Sequence, residues 1–250
     1  VLMSDGRSPE LDRNVNISLS PDLDSSPLDL DGDGEPDIDY SASKDTLAMV
    51  FSELKSKLTD NDHLLVFVTD HGGKDDNSGE SYINLWNGNR LYPAELAEYV
   101  KDLNAGYISF VLGQCYSGGF IPVLKANNHI VLTACGEDEL SYRCRQKDIN
   151  YNEFLYNWIS ALNRTDIYGN TLPVSETSYT GKLLPVSLKR AFDYAVNKDA
   201  YNKGRTFRSV ENPQISILSG STAEDLAMDS IPPTVYLYIT KNNTTVKRTS

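Results

Sequence analysis

The sequence predicts an α/β protein: a mostly parallel sheet with helices on both faces, followed by the stub of a separate β module. Three short apolar runs carry the prediction: "LLVFVT" at 64–69, "YISFVLG" at 107–113 and "HIVLTACG" at 129–136. Hydrophobicity that is continuous rather than alternating marks strands covered on both sides. Segments with helical spacing lie between and after them, supplying the crossovers that parallel strands require.

The elements follow in order. Residues 45–58 space Leu47, Val50, Phe51, Leu54 and Leu58 as one face of a helix. After the first apolar strand, "SYINLWNG" at 81–88 reads as a short strand closed by an Asn-Gly turn. Pro93 suits the first turn of a helix over 93–103. Amphipathic helices are expected over 152–162 and 185–197, and a last strand over 213–218. The opening "VLMSDG" runs an apolar tripeptide into a turn, with neither an initiator Met nor a signal peptide, which reads as a fragment of a longer chain. Near the other end, a Pro-Pro break precedes alternating Val235, Leu237 and Ile239. The expected organisation is one domain over 1–228, then a linker and the start of an immunoglobulin-like β module over 229–250. Such junctions resemble those of bacterial surface proteins, so neighbouring domains and an extracellular or cell-surface location are expected.

Composition excludes some classes. A net charge of −12 over 250 residues argues against nucleic acid, whose phosphates attract Lys and Arg. No run approaches the roughly 18 apolar residues of a membrane-spanning helix. Three cysteines, Cys115, Cys135 and Cys144, are too few for a disulfide scaffold; the latter two are a pair or free thiols.

The chemistry is read from two strand ends. In "LLVFVTDHGG" one of the three histidines, His71, stands where an apolar strand stops. Cys115 stands at the end of the next main strand, in "CYSGG", 44 positions later. Taken singly, one is a turn histidine and the other a small core residue. Together, at the carboxyl ends of separate core strands where α/β ligands sit, they fit a Cys–His hydrolase. Cys115 would be the nucleophile and His71 the base or acid. The main-chain amides of Gly72 and Cys115 would be the oxyanion donors. Ser117, Gly118 and Gly119 would let the chain turn sharply beneath the sulfur. Asp70 would orient His71 or stand on the surface.

His71-Gly72 after one strand and Cys115-X-Ser117-Gly118 after the next resemble the caspase–legumain–gingipain superfamily of cysteine peptidases, most closely the legumain-like members. The chain departs from them in carrying Gly113-Gln114 where legumain-like peptidases usually carry Glu-Ala. The resemblance implies a caspase-like fold over roughly residues 1–220, whose first strand and helix would lie upstream of Val1. It implies an endopeptidase working through a thioester on a peptide or protein substrate, with specificity set by the residue before the scissile bond. The pocket wall would follow "LTACGEDELSYR", where Glu137, Asp138 and Glu139 would attract a basic side chain or form a solvated loop.

The acidic stretch "DLDGDGEPDID" sets Asp29, Asp31, Asp33 and Asp37 around Gly34, with the Glu35 carbonyl beside them. Oxygen ligands at alternate positions with a turning glycine suit Ca2+ in a structural role. Tyr40 stands where an EF-hand has Glu, so the loop is not an EF-hand. Catalysis itself would need no cofactor. Two other readings stand beside the peptidase: a non-catalytic peptide- or partner-binding domain, and a metal-dependent phosphatase-like hydrolase suggested by "TDHGG" but short of histidines.

Overall fold

The structure is a computed structural model. It describes residues 2–3, 5–6, 11–14, 23–25, 27–30, 32–145, 151–174, 185–202, 210–217 and 235–240. The strands are β1 (Leu2–Met3), β2 (Leu11–Asn14), β3 (Leu23–Ser25), β4 (His63–Thr69), β5 (Gly72–Lys74) and β6 (Ser81–Asn84). They continue with β7 (Arg90–Leu91), β8 (Tyr107–Leu112), β9 (His129–Thr133), β10 (Gln214–Ser216) and β11 (Val235–Thr240). The helices are α1 (Lys44–Lys57), α2 (Pro93–Val100), α3 (Ile121–Leu124), α4 (Glu153–Asn163) and α5 (Leu188–Lys198).

Six strands form the main sheet in the order β1-β11-β4-β8-β9-β10. All neighbours are parallel except β10, which runs antiparallel to β9. This is the expected α/β sheet, and β4 shows why its run is unbroken. Leu64, Val66 and Val68 enter one apolar cluster with Leu47, Phe51 and Leu54 of α1 and Leu96 and Val100 of α2. Leu65 and Phe67 enter a second cluster on the other face, with Phe154 and Trp158 of α4 and Leu188 and Phe192 of α5. Each such side chain, fully buried, contributes on the order of 2 kcal/mol. The helices start where side chains supply caps. Ser43 accepts from the Thr46 N–H, Asn152 from Leu155 and Ser187 from Arg190.

The segment read from sequence as the opening of a separate β module lies, over Val235–Thr240, parallel to β4 in the main sheet. Buried main-chain groups require partners, and β11 supplies them on the side of β4 away from β8. The remainder of 229–250 lies outside the described residues. Among the described residues, no helix is long and apolar enough to cross a membrane.

Candidate active site

Strand pairing sets the site. Val68 of β4 is in register with Leu112 of β8, and the Gly113 N–H donates to the Val68 carbonyl at 2.9 Å. His71 and Cys115 each lie three residues beyond that matched pair, so both stand past the carboxyl ends of adjacent strands. His71 is exposed and Cys115 half-buried. No hydrogen bond joins imidazole to sulfur among the described residues; the hydrogen bonds of Sγ run to the Ser141 main chain. The Ser141 N–H donates to Sγ at 3.3 Å, and Sγ–H donates to the Ser141 carbonyl at 3.6 Å. Burial is the main cause that raises the Cys115 thiol above its ordinary range, opposed by the Ser141 N–H. The group is a thiol at neutral pH.

The glycines after His71 form a strand. Gly72–Lys74 pairs antiparallel with Ser81–Asn84, and Arg90–Leu91 completes a three-stranded sheet. The Asn84 N–H donates to the His71 carbonyl at 3.0 Å, which makes His71–Asn84 a hydrogen-bonded pair. Ladder bonding alternates, so the Gly72 N–H faces away from β6. Glycine is required there for space: a Cβ on Gly72 would lie 2.6 Å from the Cys115 carbonyl oxygen and 2.7 Å from that of Tyr82.

The sharp turn after Cys115 is made by Tyr116, at φ 61°, and not by the glycines that follow. That left-handed conformation costs a non-glycine residue roughly 1–2 kcal/mol, and the Tyr116 N–H is held by the Glu139 carbonyl at 2.8 Å. Gly118 lets the 3₁₀ turn Ser117–Phe120 press on the segment after β9, since its Cβ would lie 2.6 Å from the Glu137 nitrogen. Ser117 is buried and ties this turn to Cys135, accepting from the Cys135 N–H at 3.3 Å. Cys135 and Cys144 are both free thiols.

Two of the three acids after β9 are engaged internally. Asp138 pairs with Lys74, and Glu139 accepts from the Gly136 N–H at 2.8 Å and the Asn212 N–H at 3.0 Å. Glu137 is exposed. The Asp70 carboxylate accepts from the His71 N–H at 2.5 Å, a main-chain contact and not one to the imidazole.

Sequence reasoning missed Ser141, Asn152, Glu211 and Gln114. Asn152 Nδ2 donates to Ser141 Oγ and, at 3.3 Å each, to the Gly113 and Tyr142 carbonyls, bracing the cysteine loop from the start of α4. Gln114 is fully buried beside Cys115, and neither atom of its amide has a hydrogen-bond partner among the described residues. Its polar type next to Cys115 was the one available signal.

The other histidines stand at the opposite end of the sheet, at the first residues of β4 and β9. His63 Nε2 pairs with Ser109 Oγ at 2.8 Å, and burial lowers its pKa to about 4, so it is neutral. The three histidines therefore do not converge as the phosphatase-like reading would need.

In the acidic loop, Asp29 accepts from the Gly32 and Gly34 N–H groups at 2.7 and 2.9 Å. Asp33 accepts from Glu35 N–H and Asp37 from Leu30 N–H, both at 2.9 Å. Asp31 lies outside the described residues. Among the described residues no three carboxylates gather as a metal-holding group. The loop carboxylates serve their own turns, and the side chain of Glu35 is exposed.

No curated protein matches the chain. A crystal structure from Geobacter sulfurreducens, solved in a structural-genomics effort, is similar at 12% identity and TM-score 0.44, covering 74% of this chain and 77% of that one. The Peptidase C13 family matches residues 44–180, more than half of the chain, and this match spans both strand ends, His71 and Cys115. The chain belongs to the Peptidase C13 family, the legumain family of cysteine peptidases.

Proposed function

We propose that the protein is a cysteine endopeptidase with Cys115 as nucleophile and His71 as its acid–base partner. The observation that carries this reading is the matched depth of the two residues beyond the Val68–Leu112 pair. Because burial keeps Cys115 a thiol, His71 takes the Sγ proton as sulfur attacks the peptide carbonyl, and no resting thiolate is needed. The carbonyl oxygen becomes an oxyanion facing the Gly72 and Cys115 amides. The C–N bond then breaks, and the imidazolium returns the proton to the leaving amine. Water, deprotonated by His71, attacks the thioester carbonyl, releasing the acid product and restoring the thiol.

The Asp-rich loop supports structural Ca2+ by sequence pattern alone. Calcium abundance outside cells gives the same limited support to an extracellular or cell-surface location.

Iodoacetamide labelling across pH 5 to 9, mapped by mass spectrometry, tests the dyad, with Arg, Asn and Asp peptides as substrates. The expected result is cleavage of at least one peptide, with Cys115 labelling slowed in His71→Ala. Labelling of Cys115 no faster than that of Cys135 or Cys144, with no peptide cleaved, would favour a binding domain.

A further inference from the structure

Ser141, whose N–H reaches the Cys115 sulfur, is held from below by Glu211. Ser141 Oγ lies 3.1 Å from Glu211 Oε1, and the Tyr142 N–H donates to Glu211 Oε2 at 3.0 Å. Glu211 is fully buried, and its own N–H donates to the Tyr201 carbonyl at 3.3 Å. It reaches this place across 70 residues of chain from Ser141. We propose that Glu211 is a positioning residue for the nucleophile, acting through Ser141 and Tyr142 as a neutral carboxylic acid.

The surroundings favour the neutral form. Asp199, at the end of α5, and Glu153, the first residue of α4, face Glu211 and are themselves buried. Burial and these like charges push Glu211 up to about 9. The other groups that feel Glu211 are Cys115, Cys135, Cys144 and Tyr201, each of which it raises. Arg145, the charged cation beside Tyr201, lowers that phenol. A neutral acid satisfies both contacts at once: its O–H donates to Ser141 Oγ while its other oxygen accepts the Tyr142 N–H. An ionised Glu211 would instead set a negative charge beneath the segment that bonds the sulfur, opposing thiolate formation.

Glutamine reproduces the neutral pattern, with its NH2 donating to Ser141 Oγ and its carbonyl accepting from Tyr142. The test compares wild type, Glu211→Gln and Glu211→Ala in iodoacetamide labelling of Cys115 from pH 7 to 11, alongside Tm. The proposal concerns the nucleophile of the reading above, but labelling is read without peptide hydrolysis, so an inactive wild type would sink that reading and leave this measurement intact. Glu211→Gln is expected to fold and to shift the Cys115 labelling midpoint down by about half a pH unit, read as about a threefold gain in rate near pH 9. Glu211→Ala is expected to lose the ordered Ser141 contact and label with the profile of an unrestrained thiol. Superimposable profiles for wild type and Glu211→Ala would overturn the proposal. So would a Glu211→Gln protein that unfolds, because the amide should satisfy the same two bonds.

Discussion

Lys74, three residues beyond His71, is ion-paired with Asp138 in the loop beyond β9. The pair ties the strand that follows the histidine to the loop beyond β9, and the Asp138 carboxylate raises the Lys74 ammonium above its ordinary range. It also occupies one of the acids that the sequence left open between attracting a basic side chain and forming a solvated loop. Lys74→Ala should therefore lower KM for peptides with Arg or Lys before the scissile bond by about threefold to tenfold and leave Asn peptides unchanged. Stability should change by no more than about 1 kcal/mol, because Asp138 is 76% exposed. Equal KM changes for basic and neutral peptides would place the loop outside the pocket.

Gly72→Ala should be far more damaging than its size suggests. Its Cβ would meet two main-chain oxygens that cannot rotate away, and relief of such overpacking costs about 1–3 kcal/mol. The displaced amide would also leave the oxyanion, so kcat should fall by about 100-fold. Steady-state kinetics and thermal unfolding check both; wild-type kcat would remove Gly72 from the mechanism.

Stability should carry two opposite pH slopes. His63 is lowered to about 4, so the native state binds fewer protons than the unfolded state between pH 4 and 6.5. Its contribution is present above pH 6.5 and lost as pH falls, by up to about 3 kcal/mol. Glu211 is raised from 4.5 to about 9, so its contribution is complete below pH 4.5 and is lost as pH rises toward 9. Urea unfolding of wild type should thus show falling stability from pH 6.5 to 9, and Glu211→Gln should flatten that limb alone. A limb unchanged by Glu211→Gln would assign it to other groups.

Calcium should raise Tm by about 2–4 °C at millimolar concentration if the Asp29–Asp37 loop binds it as its sequence pattern suggests. Asp29→Asn should remove the shift, and it should also weaken the turn that Asp29 closes with Gly32 and Gly34. A calcium-independent Tm would leave the loop with only its own hydrogen bonds.

The core strands were legible because double-sided burial writes an apolar run into β4, β8 and β9. α1 was legible because Leu47, Phe51 and Leu54 repeat at helical spacing and are buried on one side. Of the small sheet only the strand at Ser81–Asn84 was legible, since Gly72-Gly73 reads as a turn by composition and is a strand only when Ser81–Asn84 lies beside it. His71 and Cys115 stood out because each ends an apolar run. Glu211 did not: nothing within ten residues of it hints at Ser141, and its role arises from a contact 70 positions away. The glycines after Cys115 were assigned the turn, but the positive φ falls on Tyr116, while Gly118 serves close packing.

The two tryptophans lie on opposite sides of the sheet. Trp158 is buried against Phe67 on the α4–α5 face, and Trp86 packs half-buried against the α1–α2 face. Each face thus carries its own fluorophore. Emission from Trp86→Phe and Trp158→Phe proteins would follow the two layers separately during unfolding. Coincident curves would mean that the layers melt as one cooperative unit, and displaced curves that the sheet can shed one coat of helices before the other.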